Sequence, residues 1–322
     1  MIWRVVHEGS HTNYFDSVAH DNQYARIRAL KVHQYCVVLG CPRSGTTFVA
    51  GVLRAVSHSE YFKGDNLFVT VPHVLNHAVS EEIRHALGYG LRNSLEWRLG
   101  GATNSLIAAC KRWSDGCGSL AEVLEAFRRR REVKWLIYKE PFLAFAPDFA
   151  WEAFPGAHVI HIVRDGRDCA DSLVRTFGVL SDERLKRLEN NDAPMGRKHG
   201  DRFVPWWVEG GREHEFLSVT PFVRSAWMWK EMMRRCHPFF SDPSIRATGR
   251  VLEVKYEQLV NAPVREGRRI MEFLGAEWNN RIEKQLLKGH SSSIGIHKQR
   301  QPKEVMEATR IARAELELYG YR

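Results

Sequence analysis

The 322-residue chain lacks any hydrophobic run that approaches the roughly 18 residues needed to cross a bilayer. Its first 35 residues mix His, Asp, Arg and Asn, so we expect no secretory signal. Its six cysteines include no Cys-x-x-Cys pair and no spacing typical of a disulfide framework, and most lie in apolar runs. These absences argue against membrane-spanning and disulfide-rich secreted proteins, and they favour a reducing, cytoplasmic location.

Acidic side chains are also in short supply. The chain has 38 Asp and Glu against 47 Lys and Arg, which gives a formal net charge of +9 at pH 7. Such a balance suits nucleic acid, an anionic membrane surface or an anionic small ligand as a partner. A solvated basic surface explains part of the excess, because the run Arg128–Arg131 closes a polar helical pattern.

Compact apolar runs alternate with helical patterns along the chain. Such alternation is typical of an α/β protein with a doubly wound parallel sheet flanked by helices. The predicted strands cover 35–40, 133–138, 157–163 and 250–254, and the clearest helices cover 263–274 and 302–318.

The same pattern predicts the domain organisation. Residues 1–34 form an irregular N-terminal arm, and 35–322 form one domain. Within it, the polar and glycine-rich stretch 181–221 is predicted to be an insertion or lid at the substrate site.

One glycine-rich turn follows the first predicted strand. The segment Gly40-Cys-Pro-Arg-Ser-Gly-Thr-Thr47 has the spacing of a phosphate-binding loop, G-x-x-x-x-G-K-[ST]. Glycines let the backbone fold tightly so that N–H groups and a helix N-terminus face an anion. Thr46 replaces the lysine of nucleotide triphosphatases, and Arg43 supplies a charge inside the loop instead.

A second anion-binding pattern follows the 157–163 strand. Arg164 stands at the strand end, and Ser172 comes eight residues later, in the next predicted helix. A strand-terminal arginine and a hydroxyl near a helix N-terminus can converge on one phosphate. Together, at the carboxyl ends of two predicted parallel strands, the two patterns strongly indicate a phosphate-binding site.

Both patterns resemble those of sulfotransferases that use 3′-phosphoadenosine 5′-phosphosulfate (PAPS), and the likeness runs from about Tyr35 to the last helix. Among them, the chain is most similar in motif to bacterial members and the tyrosylprotein branch. The resemblance implies a P-loop-like fold, PAPS as donor, 3′-phosphoadenosine 5′-phosphate (PAP) as product, and no metal. The nucleotide-binding residues it implies are Arg43, Ser44, Gly45, Thr46, Thr47, Arg164, Ser172, Tyr256, Ser293, Gly295 and Lys298.

The resemblance also implies catalytic residues. Lys139, which precedes Glu140 and Pro141, matches the family's lysine, and with Arg43 it would meet charge on the departing nucleotide. The general base is expected about 20 residues after the loop, where Asp65 stands. His58 and His73 remain alternatives, because cytosolic sulfotransferases use a histidine.

Histidines and tryptophans are further candidates for site residues. His73, His77 and His85 lie near one another, but no H-E-x-x-H pattern accompanies them, so we expect no metal site. Trp227 and Trp229 are predicted to be core residues. For Trp206 and Trp207, the sequence leaves two interpretations open, acceptor binding and core packing.

The predicted activity is sulfuryl transfer from PAPS to a hydroxyl of a small molecule or carbohydrate rather than a protein tyrosine. A P-loop kinase would share the fold, but it needs the lysine that Thr46 replaces. A nucleic-acid-binding protein would explain the positive charge and leave the paired motifs unexplained. We therefore expect neither nucleic acid nor stable membrane insertion, and the sequence does not fix the oligomeric state.

Overall fold

The computed structural model describes residues 32–64, 67–77, 79–100, 109–128, 133–187 and 196–322. Its centre is a five-stranded sheet with the order β2-β3-β1-β4-β7, in which every pair is parallel. The strands are β1 (Val32–Leu39), β2 (Ser59–Lys63), β3 (Val133–Lys139), β4 (His158–Val163) and β7 (Val251–Lys255). The predicted α/β architecture is confirmed.

Helices connect the strands and cover both faces of the sheet. They are α1 (Thr46–Leu53), α2 (Leu67–Leu75), α3 (Glu81–Gly100), α4 (Leu120–Arg128), α5 (Pro147–Ala153), α6 (Gly166–Phe177), α7 (Asp182–Arg187), α8 (Glu213–Ser218), α9 (Pro221–Ser241), α10 (Pro243–Ala247), α11 (Tyr256–Asn261), α12 (Pro263–Leu274), α13 (Asn280–Leu286), α14 (Pro302–Ile311) and α15 (Arg313–Leu318). Short 3₁₀ helices cover Pro141–Phe145, Ser291–Ser293 and Ile296–Gln299. None of the described helices combines the length and the apolar character needed to span a membrane.

The central strand β1 is buried on both faces. Its residues alternate between two hydrophobic cores, with Val37 and Leu39 in the larger and Cys36 and Val38 in the smaller. This burial explains why the strand reads as a continuous apolar run. Helix α9 covers the larger core, and α1 and α12 cover the smaller.

Three elements differ from the sequence-based predictions. Strand β1 begins at Val32 rather than Tyr35, because its polar start pairs with the backbone of β3. Strand β2 was missed, since Ser-Glu-Tyr-Phe-Lys at the sheet edge contains no apolar run. The predicted helix 302–318 is interrupted at Ala312. Most of the predicted N-terminal arm lies outside the described residues.

The described part of 181–221 contains an antiparallel hairpin of β5 (Gly196–His199) and β6 (Arg202–Pro205). Trp206 and Trp207 follow it, each with 7% of its surface exposed. Their ring centres lie 5.1 and 6.1 Å from that of Phe145. Both therefore pack in the larger core, which agrees with core packing, the second of the two interpretations that the sequence left open. Trp227 and Trp229 are fully buried, as predicted.

The order of the strands determines where a ligand can bind. The chain leaves β1 toward β2 on one side of the sheet and leaves β4 toward β7 on the other. In an open parallel sheet, such a change of direction opens a crevice beyond the carboxyl ends of the two strands. Both predicted anion-binding motifs follow these two strands, β1 and β4.

Candidate active site

A cleft of about 720 Å³ lies at the carboxyl edge of the sheet. Its volume is typical of a site for a small molecule or nucleotide. The predicted site residues that line it are Arg43, Gly45, Thr46, Thr47, Lys139, Arg164, Ser172, Tyr256 and Ser293. The fold thus brings nine of the predicted site residues together in one cleft, from five separate segments of the chain.

The glycine-rich turn runs from β1 into α1 and forms the floor of the cleft. Gly45 precedes α1 with φ of 105°, and a Cβ there would lie 2.5 Å from a ring carbon of Tyr256. Glycine is therefore required both by backbone conformation and by contact with the tyrosine. Among the described residues, no side chain caps the N-terminus of α1, so its first N–H groups are available to an anion.

The two predicted motifs meet through direct hydrogen bonds. Arg43 donates from Nε to Ser172 Oγ over 2.9 Å, and Arg164 donates from Nη1 to the carbonyl of Arg43 over 3.2 Å. The Arg164 guanidinium lies 4.7 Å from the ring centre of Tyr256. Trp229 Nε1 donates to the Arg164 carbonyl over 3.0 Å and fixes that strand end. Two arginines and a hydroxyl are thereby held on one wall of the cleft.

Two buried polar atoms, Ser44 Oγ in the turn and Arg164 Nε at the strand end, have no hydrogen-bond partner among the described residues. Buried donors are normally paired, so the Nε of Arg164, a residue that lines the cleft, is suited to a polar ligand. Ser44 itself lies beneath the turn, fully buried, and does not line the cleft.

Lysine side chains mark the opposite end of the cleft. Lys139, only 6% exposed, ends β3 and donates from Nζ to Thr47 Oγ1 over 3.3 Å. Lys63 ends β2 and pairs with Lys139 in the strand register, so the two cations are neighbours. Burial, and then repulsion from Lys63, lower the pKa of Lys139 below that of an ordinary lysine. An anion at this position would relieve the repulsion.

One carboxylate, that of Glu140, lies beside these lysines. Its Oε1 accepts a hydrogen bond from the N–H of Phe142 over 3.0 Å and caps the short helix after β3. The carboxylate packs directly over Gly64, where a Cβ would overlap Glu140 Oε2. Both Glu140 and Gly64 line the cleft.

Two of the three candidates for the general base lie away from the cleft, and the third is not described by the structure. Asp65 lies outside the described residues. His58 precedes β2 at the amino edge of the sheet, where its carbonyl accepts from the N–H groups of Lys134 and Trp135. His73 packs 5.6 Å from Trp206, and burial followed by His77 lowers its pKa. Neither histidine lines the cleft, so the alternative base assignments lose their geometric basis.

In the late segment, one of the three predicted nucleotide-binding residues lines the cleft and two do not. Ser293 lines the cleft, but Gly295 donates its N–H to Asp168, and Lys298 is exposed outside the cleft. The sequence reasoning missed Asp168, although an acidic residue one helical turn after Arg164 was a usable signal. The ring centres of His73 and His77 are 5.1 Å apart. Within the described residues, however, no group of three or more side chains that could hold a metal ion is found.

Solved sulfotransferase structures are among those that are similar to this chain. The sulfotransferase domain of the Synechococcus PCC 7002 olefin synthase has a TM-score of 0.49 and 17% identity, over 91% of this chain and 96% of that one. A sulfotransferase from Mycobacterium avium has a TM-score of 0.45 and 13% identity, over 94% and 81% of the two chains.

Sequence comparison identifies the family. The chain is 24% identical over 263 residues to protein-tyrosine sulfotransferase 2 of Gallus gallus, a match that covers 81% of this chain and 56% of that protein. The chain thus spans little more than half the length of this relative. A family model described as "Sulfotransferase family" matches residues 36–220, which include both anion-binding motifs. Because this match covers more than half of the chain, the protein belongs to the sulfotransferase family.

Proposed function

We propose that the protein transfers the sulfuryl group of PAPS to a hydroxyl group of a small molecule or carbohydrate. The observation that carries the proposal is the convergence of Arg43, Arg164 and Ser172 at the uncapped N-terminus of α1, within one cleft. Two separate cationic positions match a donor with phosphate at the 3′ position and phosphosulfate at the 5′ position.

The two anion-binding motifs have separate roles in this proposal. The turn Gly40–Thr47 and Arg43 would hold the 5′-phosphosulfate, while Arg164 and Ser172 would hold the 3′-phosphate. Tyr256 packs on both Gly45 and Arg164, so it would keep the two anion sites in register. Ser293, whose carbonyl accepts from Arg164, would close the nucleotide end.

PAPS, when bound, would supply a sulfuryl group on a phosphate leaving group. The acceptor oxygen forms a bond to sulfur as the bond from sulfur to the bridging phosphate oxygen breaks. Arg43 and Lys139 would meet the negative charge that develops on that bridging oxygen. Asp65 would take the proton from the acceptor hydroxyl. The balance needs no metal or additional reactant.

The class of acceptor is inferred from the length of the match and from the cysteines. The matched relative is named for protein tyrosine, but this chain spans little more than half of it. The reduced-cysteine pattern favours a compartment in which small molecules or carbohydrates, rather than secreted proteins, are the available hydroxyl compounds.

Ligand binding distinguishes this function from that of a kinase or a nucleic-acid-binding protein. We expect PAP to raise the melting temperature, because only the folded state binds it. ATP and an oligonucleotide should raise it less, and PAPS turnover should continue undiminished in excess EDTA. Strict Mg²⁺ dependence with preferential ATP binding would instead favour a kinase.

The variant Arg164→Ala should weaken PAP binding. A hydrogen bond to a charged group contributes about 1.5–3 kcal/mol, so Kd should rise roughly 10- to 150-fold. Isothermal titration with PAP measures the change. Arg167→Ala is a matched control, because Arg167 is equally buried in the same turn but pairs with Asp165. An unchanged Kd for Arg164→Ala would remove the 3′-phosphate assignment.

The lysine pair predicts the alkaline limb of the pH profile. Lys139 must carry a proton to meet negative charge, and its lowered pKa means that activity falls at a lower pH than an ordinary lysine would give. Lys63→Gln removes the repulsion and should raise the pKa of Lys139, moving the alkaline limb of kcat/KM for PAPS to higher pH. Lys63→Arg keeps the charge and should leave the limb in place. Coincident profiles for wild type and Lys63→Gln would contradict the coupling.

A further inference from the structure

A single buried carboxylate connects α6 with the segment 290–297 that borders the cleft. Asp168 is 1% exposed. It accepts hydrogen bonds from the N–H of Gly295 over 2.7 Å, from the N–H of His297 over 3.2 Å, and from Nδ1 of His297 over 2.6 Å. We refer to Asp168 and its partners Gly295 and His297 as the Asp168 clasp.

The Asp168 carboxylate retains its negative charge although it is buried. Burial raises the pKa of Asp168, but the His297 side chain and the two backbone N–H groups outweigh it and hold the pKa below its ordinary value. The carboxylate is therefore ionised at neutral pH, and its hydrogen bonds are of the strong, charge-assisted kind.

The segment held by the clasp contributes directly to the nucleotide end of the cleft. Ser293 and His290 line that end. The Ser293 carbonyl accepts from Arg164, and the His290 carbonyl accepts from Tyr256 Oη over 3.2 Å. Arg164 in turn lies 3.8 Å from Asp168. One carboxylate thus touches both the segment and the arginine assigned to the 3′-phosphate.

Besides the clasp, Arg164 at Ser293 and Tyr256 at His290 hold this segment among the described residues. Residues 291–296 are exposed or half-buried, and the first fully buried side chain after them is that of His297. A second polar contact, Arg300 with Asp171 over 2.8 Å, comes after the clasp. Segments with few buried apolar contacts open readily, so the polar anchors determine their position.

We propose that Asp168 and His297 are positioning residues for the nucleotide, which fix segment 290–297 and Arg164 without lining the cleft themselves. The proposal rests on the proposed function, because it assigns the clasp to the affinity of the same nucleotide site. It predicts a change in nucleotide affinity with little change in the rate of transfer.

The test compares Asp168→Asn with wild type. The amide removes the charge and places an N–H₂ group among three donors, so Kd for PAP and KM for PAPS should rise roughly 10- to 100-fold. We expect kcat at saturating PAPS to change less than threefold, because Lys139 and Asp65 are untouched. Trypsin should cut after Lys298 faster in ligand-free Asp168→Asn than in wild type.

Histidine variants keep the test valid if Asp168→Asn folds poorly. His297→Asn retains a side-chain N–H close to the position of Nδ1 and should keep PAP affinity near wild type, whereas His297→Ala should weaken it. The control is Glu253→Gln, which alters a second acid–histidine contact, that of the half-exposed Glu253 with the buried His161 over 2.9 Å, on neighbouring strands of the sheet. It should leave Kd for PAP unchanged.

The outcomes separate the two proposals. If wild type does not bind PAP, the proposed function is overturned. The trypsin comparison would then still show whether Asp168 holds the segment 290–297. Wild type that binds PAP, with Asp168→Asn and His297→Ala binding equally well, would overturn the role of the clasp. Equal losses in kcat and affinity for every variant would make the clasp a general stabilising contact.

Discussion

Replacing Lys139 by alanine is expected to lower kcat by roughly 10²–10³, the scale for losing one preorganised donor. The buried ammonium is held at the mouth of the phosphate loop by Thr47, 3.3 Å away. At that position it can meet charge that develops only as the sulfuryl group moves, so the loss should fall on the rate rather than on donor binding. PAP affinity should change little.

Steady-state kinetics with PAPS and titration with PAP check this expectation together. Lys134→Ala is the matched control, because Lys134 stands at the opposite end of the same strand, exposed to solvent. It should leave both kcat and Kd unchanged. If Lys139→Ala raises only KM for the acceptor, the lysine binds the acceptor and does not assist the leaving group.

Asp65→Asn is expected to lower kcat by about 10²–10⁴ while PAP affinity stays at the wild-type value. A hydroxyl is a poor nucleophile at neutral pH, and a positioned base contributes on this scale. Asp65 lies outside the described residues, but Gly64, immediately before it, lines the cleft next to Lys63 and Glu140. The prediction therefore rests on the sequence register together with this neighbourhood.

Two companion variants decide which carboxylate is the base. Glu140→Gln tests the carboxylate that the structure does describe in the cleft, and His58→Ala tests a histidine at the opposite edge of the sheet. We expect His58→Ala to behave as wild type. Near-normal kcat in Asp65→Asn combined with a large loss in Glu140→Gln would transfer the role to Glu140.

The parts of the fold that the sequence predicted well are those where burial leaves a strong local pattern. Strands β1, β3 and β4 lie inside the sheet, and the glycine-rich turn needs its residues in a fixed order. The edge strand β2, Ser-Glu-Tyr-Phe-Lys, contains no apolar run, although its first two residues are buried. The sequence predicted the two motifs at the carboxyl ends of two parallel strands, and in the structure Arg43 of the first motif contacts Ser172 of the second over 2.9 Å.

Contacts between distant segments left no such local pattern. Asp168 and His297 are 129 residues apart, and nothing in either neighbourhood indicates their pairing. The core position of Trp206 and Trp207 depends on Phe145, in a different segment. Polar neighbours in the sequence suggested exposure for these tryptophans, but tertiary packing decided otherwise. Gly295 resembled a ligand contact for a similar reason, since its N–H partner comes from α6.

The packing of Tyr256 on Gly45 has a consequence for synthesis on the ribosome. Both anion-binding motifs are made early, before residue 173, whereas Tyr256 and Ser293 emerge from the exit tunnel much later. A nascent chain that ends near residue 220 would carry both motifs without the tyrosine between them or the carbonyl that receives Arg164. Nucleotide can stabilise only a state that binds it. Donor in the cell would therefore assist folding only after Tyr256 and Ser293 have been made and β7 has joined the sheet.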